Sequence, residues 1–296
     1  MTRNTGMIVY YTQRMTSMLR LRTPGAWVVG QAINLWLSTK GNPRMSPRQH
    51  SDTPALRALR SSGYSFLGKL LSDQDLHDIR GYLATKPHFD FDHPERAIIG
   101  EQTPDNVRYS FYRAADVLTC PHLLKVINAK DILSLVECYL GCKATIAQIG
   151  LRWTFANGLR QDRFQLFHRD TDDWRFVKLF LYLTDVDALS GPLTLVAGSH
   201  RMPSAFRARY WSDDDIAARF SKDQVVSLIG QAGSSWLVDT FAFHQGSKPI
   251  DHPRLALLVQ YSLLPYFPHT YEEPLPIASC STQHLDPYVN RLFVKV

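Results

Sequence analysis

From Lys143 onward the chain alternates apolar and polar residues with a period of two, which is typical of half-buried β-strands. In residues 144–155, Gln148 and Arg152 share the polar face, while bulky apolar side chains occupy the other. Residues 175–186 alternate in the same way. Shorter strands are predicted at residues 193–196, 225–229, 235–238, 241–245 and 255–264. Strands at this spacing, without helices between them, indicate a sandwich or barrel rather than a parallel α/β sheet.

Helical patterns precede these strands. A Thr-Pro start followed by apolar residues predicts a short helix over residues 24–37, with Thr23 as its cap. Ser72 and Asp75 have the spacing of a capping box, and they predict a helix that runs to about residue 86. The remaining predictions in this half are a strand at residues 63–67, a loop at residues 87–108, and one or two helices at residues 121–140.

The excess positive charge of the chain lies at its start. The 296 residues carry 33 basic and 27 acidic side chains, a formal net charge of +6. Residues 1–51 contain no acidic residue and seven basic ones, namely Arg3, Arg14, Arg20, Arg22, Lys40, Arg44 and Arg48. The rest of the chain is therefore close to neutral, which argues against nucleic acid as a partner. We expect residues 1–51 to be a basic extension with a linker at 41–52, and residues 52–296 to form a single domain.

The apolar helix of the extension is too short for a membrane span. At about 1.5 Å per residue it covers roughly 21 Å, whereas the core of a bilayer is about 30 Å thick. Basic residues flank it, so residues 20–40 are predicted to contact a membrane surface, to pack on the body, or to mediate self-association. The four cysteines form no CxxC pair and are interpreted as buried thiols. We therefore expect a cytoplasmic protein, at the periphery of a membrane if the helix binds lipid.

A histidine and an aspartate two residues apart form the first candidate site. In the sequence FHRD, His168 and Asp170 point to the same side of an extended chain. A third ligand must come from elsewhere, and His244, in a predicted strand, is the best candidate. Two histidines and one carboxylate form the facial triad of non-haem Fe(II) oxygenases, which leaves positions open for a co-substrate and O₂. The spacing alone is also compatible with three unrelated polar residues on a sheet.

An arginine in the next predicted strand sharpens this hypothesis. Arg254 follows His244 by ten residues. A buried arginine there would bind a carboxylate in bidentate geometry. A dicarboxylate that chelates the metal through its 2-oxo acid end would carry its far carboxylate toward such an arginine, as expected for 2-oxoglutarate. The alternative is a metal-binding cupin-like protein without oxygenase activity, either an isomerase or a binding module.

Three stretches of the sequence resemble the phytanoyl-CoA dioxygenase family of Fe(II)/2-oxoglutarate-dependent oxygenases. They are FHRDTDDWRFVKLFLYLTDVDALSGPLTLVAGSHR at residues 167–201, DTFAFHQGSKPIDHPRLALLVQYS at residues 239–262 and GYSFLGKLLSDQDLHDI at residues 63–79. The resemblance spans roughly residues 60–265, and the extension before it has no recognised counterpart.

The resemblance implies a mainly β fold with backing helices, the double-stranded β-helix or jelly roll of cupin-like proteins. It implies that His168, Asp170 and His244 bind Fe(II), and that Arg254 binds the distal carboxylate of 2-oxoglutarate. With O₂ as the further co-substrate, the expected activity is hydroxylation of a small molecule with release of succinate and CO₂. Family members that halogenate replace the carboxylate ligand with a small residue, so Asp170 argues against halogenation.

Further contacts to the cofactor are expected from the strand before the HxD motif and from the segment after the distal histidine. By resemblance these are Gln148, Arg152 and Ser247. Ser247 lies one position beyond the serine or threonine that many members have. Tyr182 shares a strand face with Lys178, and both side chains are expected either inside the barrel, near cofactor or substrate, or on the surface.

Overall fold

Two antiparallel β-sheets stack face to face in the computed structural model. The structure describes residues 3–19, 21–42, 52–101, 103–157, 159, 165–203, 210–279 and 285–296. The strands are β1 (Tyr64–Lys69), β2 (Pro87–Asp90), β3 (Ala97–Ile99), β4 (Tyr109–Tyr112), β5 (Thr145–Thr154), β6 (Phe176–Tyr182), β7 (Leu193–Val196), β8 (Val225–Leu228), β9 (Ser234–Val238), β10 (His244–Gly246), β11 (Arg254–Ser262), β12 (Leu275–Pro276) and β13 (Val294–Lys295). The helices are α1 (Arg3–Met18), α2 (Arg22–Thr39), α3 (Pro54–Ser62), α4 (Asp73–Leu83), α5 (Ala114–Thr119), α6 (Leu123–Ile127), α7 (Lys130–Leu140), α8 (Asp213–Ala217) and α9 (Pro287–Asn290). This is the jelly roll with backing helices that the sequence predicts.

The larger sheet places the polar faces of β5 and β6 in common rows. Within the described residues its order is β1-β9-β6-β11-β5-β4-β2-β3. Strand β11 pairs with β5 on one side and with β6 on the other, so Lys178 and Gln148 share one row, and Arg152 and Tyr182 share another. Because side chains alternate between faces, both rows project toward the smaller sheet. The faces predicted from period-two alternation are therefore confirmed.

The smaller sheet, β10-β7-β8, is extended by the segment that carries the HxD motif. The backbones of His168 and His244 exchange two hydrogen bonds of 2.9 Å each. The N–H of Asp170 then donates to the carbonyl of Thr240 at 3.0 Å. A regular antiparallel ladder would pair Asp170 with Ala242, so the register shifts by two residues. The motif consequently forms isolated bridges rather than the extended strand that the sequence argument assumed.

Apolar packing occurs in three layers. The largest core lies between the larger sheet and the helices, and it includes the buried side chains of Leu151, Trp153 and Leu257. A second core between the two sheets contains Phe180 and Trp236. A third, smaller cluster packs on the outer side of the smaller sheet. The space between the sheets thus holds both apolar packing and the polar candidate site.

Helix α4 confirms the predicted capping box. The Ser72 hydroxyl accepts from the N–H of Asp75 at 3.1 Å, and the Asp75 carboxylate accepts from the N–H of Ser72 at 2.8 Å. The helix ends at Leu83, three residues before the predicted end. The helices predicted over residues 121–140 are α6 and α7.

Two predictions for this half of the chain were wrong or incomplete. Residues 87–108, predicted as a loop, contain β2 and β3, which are too short to show a clear alternation. Helix α3 was not predicted, although Thr53 caps it by accepting from the N–H of Leu56 and Gly63 ends it with φ of +84°. A Cβ added at Gly63 would also lie 2.7 Å from Nδ1 of His200, so both the conformation and the space require glycine.

Helix α2 packs on the body of the protein through one stripe of small and apolar residues. The stripe consists of Ala26, Gly30, Ile33 and Leu37, which are spaced four, three and four residues apart and are buried. The helix predicted over residues 24–37 is thereby confirmed. The prediction that Thr23 caps it was wrong, since the helix begins at Arg22 and has no side-chain cap.

Helix α1 was not predicted because its faces invert the usual hydrophobic pattern. Gly6 and Gln13 are buried against the body. Ile8, Tyr11 and Met15 are 68%, 54% and 48% exposed. A helix that buries small and polar residues and exposes large apolar ones gives no amphipathic signal that can be recognised in the sequence.

The structure tests one of the three roles predicted for the extension, namely packing on the body. Both of its helices pack against the rest of the chain, which was one of the three predicted roles. No helix within the described ranges has the length and apolarity needed to cross a membrane. Contact with a membrane surface or with a second copy stays a prediction. Most of the predicted linker, residues 43–51, and with it the boundary at residue 51, lies outside the described part of the chain.

Helices α1 and α2 form a helical hairpin, and Arg22 connects this hairpin to the body by an ion pair with the buried carboxylate of Asp239. Its Nη2 lies 3.2 Å from both carboxylate oxygens, and the Tyr139 hydroxyl donates to the same group at 2.5 Å. The Arg22→Ala variant would leave a fully buried carboxylate without its cation. We expect it to lower the free energy of unfolding by about 3 kcal/mol, as measured by denaturant titration.

A matched control for this prediction is the exposed ion pair between Arg57 and Asp52, whose atoms lie 2.8 Å apart. The Arg57→Ala variant should change the free energy of unfolding by less than about 1 kcal/mol, because solvent screens the pair. Equal losses in the two variants would contradict a structural role for Arg22.

Candidate metal centre and active site

The side chains of His168, Asp170 and His244 meet between the two sheets. Their candidate ligand atoms all lie within 4.8 Å of one another. The backbone pairing of the two histidines brings their ring centroids to 4.3 Å. One carboxylate oxygen of Asp170 is 3.8 Å from Nε2 of His168, and the other is 3.6 Å from Nε2 of His244. Two imidazole nitrogens and one carboxylate are thus available to a single ion, and this donor set suits non-haem Fe(II).

Backbone carbonyls orient both imidazoles. Nδ1 of His168 donates to the carbonyl of Leu166 at 2.9 Å, and Nδ1 of His244 donates to that of Ala242 at 3.0 Å. A carbonyl only accepts, so the proton is on Nδ1, and the Nε2 atoms, which face Asp170, are the candidate metal donors. Burial and the neighbouring His168 lower the pKa of His244 to about 4, which keeps this imidazole neutral as a ligand must be.

Lys178 provides the positive charge beside Asp170. Its Nζ lies 2.7 Å from Oδ2 of Asp170 and 3.3 Å from Oδ2 of Asp172. Burial favours the neutral amine, but the two carboxylates raise the pKa of Lys178 to about 12. Burial also opposes ionisation of Asp170, yet Lys178 and the two imidazoles hold its pKa below the ordinary value. For Asp172 burial prevails and raises the pKa to about 6. Lys178 therefore lies in the interior, which is one of its two expected placements.

Replacing Lys178 should make the fold depend on a metal ion. In the metal-free protein the Lys178→Met variant leaves the buried carboxylates of Asp170 and Asp172 without their cation. We expect the free energy of unfolding to fall by about 3 kcal/mol. Zn(II) supplies a replacement charge and stabilises the folded state to which it binds, so it should raise the melting temperature more in the variant than in the wild type. Thermal unfolding with chelator and with Zn(II) measures both effects.

Lys69 serves as the control for this prediction, because it forms an exposed ion pair with Asp73 at 3.5 Å. The Lys69→Met variant should show the wild-type response to Zn(II). A Zn(II)-induced shift in Lys178→Met no larger than that of the wild type would refute the role of Lys178 as counter-charge.

Arg254 lies buried behind Gly246, at the end of the site away from Lys178. Its Nη2 would be 3.5 Å from a Cβ added at Gly246, and one Nη donates to the carbonyl of Gly191. Among the described residues, its Nε has no hydrogen-bond partner. Burial lowers the pKa of Arg254, an energetic penalty that a bound carboxylate would offset. The residues present therefore fit the distal carboxylate of 2-oxoglutarate.

The two predicted cofactor contacts on β5 differ in position. Arg152 lines the cavity beside the triad, and its guanidinium lies 5.4 Å from the ring centroid of Tyr109. Gln148 shares the row of Lys178 but is not among the residues that line this cavity.

Tyr182 and Ser247 do not line the cavity either. The Tyr182 hydroxyl donates to the carbonyl of Leu228 at 2.8 Å and hydrogen-bonds Arg254, so it reaches the site only through that arginine. The Ser247 hydroxyl instead hydrogen-bonds that of Thr194 at 3.0 Å. Side chains alternate along the chain, so Gly246 faces the cavity and the next residue faces away from it.

A cavity of about 350 Å³ adjoins the triad, a size that suits a small molecule. Its lining consists of Tyr10, Arg14, Arg152, His168, Arg169, Asp170, Thr171, Asp172, Lys178, Phe180, Leu193, Tyr210, His244, Gly246, Leu258 and Tyr266. Sequence reasoning missed the tyrosines and Arg14, because no spacing rule connects them with the HxD motif. The sequence indicated a role for residues 1–51 only through the arginines of that acid-free segment.

Comparisons with known proteins agree with this architecture. The family profile of phytanoyl-CoA dioxygenase matches residues 60–249. A search of curated protein sequences finds no significant match. Among solved structures, EctD from S. alaskensis with bound Fe is 19% identical, with a TM-score of 0.51 over 85% of this chain and 87% of that one. EctD with 2-oxoglutarate and 5-hydroxyectoine is 18% identical, with a TM-score of 0.51 over 86% and 94% of the two chains.

At these identities the similarity to EctD establishes the fold and nothing beyond it. The family profile is more informative, because it covers more than half of the chain and includes both His168 and His244. Arg254 follows shortly after the end of the matched region. The chain therefore belongs to the phytanoyl-CoA dioxygenase family of Fe(II)- and 2-oxoglutarate-dependent oxygenases.

Proposed function

We propose that this oxygenase hydroxylates a small molecule, with release of succinate and CO₂. Family membership supports an oxygenase that uses Fe(II), 2-oxoglutarate and O₂. The observation that carries the proposal is the donor set of His168, Asp170 and His244 beside a cavity that has a buried arginine behind it. Asp170 supports hydroxylation over halogenation, because the third ligand position is filled by a carboxylate.

In this proposal the chain binds the metal with preoriented side chains. His168 and His244 contribute Nε2 atoms, held in direction by the carbonyls that accept from Nδ1. Asp170 would contribute its carboxylate, to which Lys178 donates at Oδ2. Bound Fe(II) with 2-oxoglutarate supplies the activation of O₂ for oxidation of the substrate.

Arg254 is proposed to bind the distal carboxylate of 2-oxoglutarate. Gly246 lacks a side chain, which leaves space next to the guanidinium. Tyr182 is not part of the cavity lining, and its proposed role is to hold the guanidinium of Arg254 in position through their contact. Arg152 is the further cofactor contact that we retain, because it lines the cavity, whereas Gln148 and Ser247 do not.

The size of the cavity supports a small-molecule substrate. About 350 Å³ accommodates a compact metabolite beside the co-substrate rather than a polymer. EctD, which shares the fold, was crystallised with 2-oxoglutarate and the small molecule 5-hydroxyectoine.

Anaerobic titration tests this proposal. The metal-free protein is loaded with Fe(II) under argon and 2-oxoglutarate is added. A weak visible charge-transfer band appears only if the oxo acid chelates the metal. Admission of O₂ should then produce succinate in amounts that depend on both Fe(II) and 2-oxoglutarate. Metal binding with neither the band nor succinate would instead indicate a cupin-like isomerase or binding module.

A further inference from the structure

Helix α1 supplies part of the wall of the active-site cavity. Tyr10 and Arg14 line it together with the candidate metal ligands. The ring of Tyr10 packs edge-on against that of Tyr266, with 6.3 Å between centroids. The match to the family begins at residue 60, so this wall comes from outside the matched region.

Buried polar contacts fix α1 over the cavity. Nε2 of Gln13, which is 1% exposed, donates to the carboxylate of Asp173 at 2.9 Å. Nε1 of Trp174 donates to the hydroxyl of Thr16 at 2.8 Å. Asp173 and Trp174 follow the HxD motif directly, so the helix is attached to the segment that carries two of the candidate ligands.

Close packing at two glycines strengthens this attachment. A Cβ added at Gly6 would lie 2.7 Å from Cδ1 of Phe267, and one added at Gly25 would lie 2.7 Å from Cδ1 of Trp174. Real Cβ atoms do not approach so closely, so a larger residue at either position would require the aromatic ring or the helix to shift. Both helices of the extension therefore lie close against the body, which keeps Tyr10 and Arg14 at the cavity.

Positive charge predominates among the described lining residues. The cationic side chains are Arg14, Arg152, Arg169 and Lys178, and the carboxylates are Asp170 and Asp172. Fe(II) and the dianion of 2-oxoglutarate would cancel each other's charge when both bind. The loaded cavity would keep its excess of positive charge and favour an anionic substrate.

The other three cations come from different parts of the fold: Arg152 and Lys178 from the larger sheet, and Arg169 from the HxD segment. Lys178 is held by two carboxylates. Arg169 donates to backbone carbonyls, and Arg152 lies against two aromatic rings. Arg14 extends from α1, and its Nη1 donates to the hydroxyl of Tyr10 at 2.7 Å. Arg14 is thus the cation that α1 itself brings to the cavity, where its charge also acts on the carboxylate of Asp172.

We propose that α1 forms a substrate subsite in which Arg14, supported by Tyr10, binds an anionic group of the substrate, a carboxylate or a phosphate. The rings of Tyr10, Tyr210 and Tyr266 would pack against the remainder of that molecule. This inference rests on the proposed function, because the charge balance assumes that Fe(II) and 2-oxoglutarate are bound.

Binding of small aromatic probes tests the subsite. The full chain is loaded with Zn(II) in place of Fe(II) and with saturating 2-oxoglutarate, so that the position at Arg254 is filled. Dissociation constants are then measured for benzoate, phenyl phosphate and the neutral benzamide. We expect at least one anion to bind about tenfold more tightly than benzamide, and Arg14→Gln to remove this preference. Which anion binds more tightly distinguishes a carboxylate subsite from a phosphate subsite.

Two control variants make the result specific. Arg57→Gln removes an exposed cation outside the cavity, and Tyr11→Phe alters the exposed side of the same helix. Both should keep the wild-type preference, and Arg14→Lys should keep part of it. Equal affinity of the wild type for the anions and benzamide, or an equal loss in Arg57→Gln, would overturn the subsite. Failure of the proposed function would show separately, as a wild-type protein without the Fe(II)–2-oxoglutarate band.

Discussion

We expect the His244→Ala variant to lose stoichiometric Fe(II) binding and to lower 2-oxoglutarate turnover at least about 10³-fold, the scale seen when one member of a catalytic constellation is removed. His244 is 5% exposed, and its Nε2 faces the carboxylate of Asp170. Its removal leaves one imidazole and one carboxylate, which cannot hold the ion in facial geometry. Iron content after anaerobic loading and succinate formation measure the two losses.

A second buried histidine provides the control for this prediction. His200 is 6% exposed, and its Nε2 donates to the carbonyl of Arg60 at 3.1 Å, outside the cavity. His200→Ala is expected to lower the melting temperature, because it leaves that carbonyl unsatisfied, but to bind one equivalent of iron. If His244→Ala also kept one equivalent of iron and full succinate formation, the assignment of the metal centre would be wrong.

The candidate metal centre could be proposed from the sequence because its chemistry depends on few residues in a fixed order along the chain. A histidine and a carboxylate two residues apart, a distant histidine in another strand, and an arginine ten residues later already restrict the reaction class. The period-two alternation also predicted that Gln148 and Arg152 share a face of β5 and that Lys178 and Tyr182 share a face of β6. These features are local in sequence or follow from strand geometry.

The surroundings of the metal centre could not be predicted in the same way. Helix α1 packs on the body through Gln13 and Gly6, residue types that carry no hydrophobic period. The contact of Lys178 with Asp170 depends on the register between sheets, which no spacing rule supplies. Ser247 was expected at the cofactor, but a shift of one residue turns its side chain away from the cavity.

The Arg254→Met variant should separate binding of 2-oxoglutarate from binding of the metal. Methionine fills most of the volume of the side chain but offers neither charge nor hydrogen bonds to a carboxylate. Because the lost interaction is charge-assisted and buried, we expect the KM for 2-oxoglutarate to rise about 100-fold. Fe(II) affinity should change far less, since the guanidinium is not part of the donor set of His168, Asp170 and His244.

Steady-state succinate formation at varied 2-oxoglutarate, together with anaerobic Fe(II) titration of the same variant, measures both quantities. Arg254→Lys retains the charge but not the bidentate geometry, so its KM should fall between those of the wild type and Arg254→Met. The charge-transfer band should still form in Arg254→Met at high 2-oxoglutarate, because the 2-oxo acid end chelates the metal independently of Arg254. A variant with an unchanged KM, or one that loses Fe(II) together with 2-oxoglutarate, would show that Arg254 supports the fold rather than the co-substrate. A higher KM with intact iron binding would place the far carboxylate of 2-oxoglutarate at the buried guanidinium.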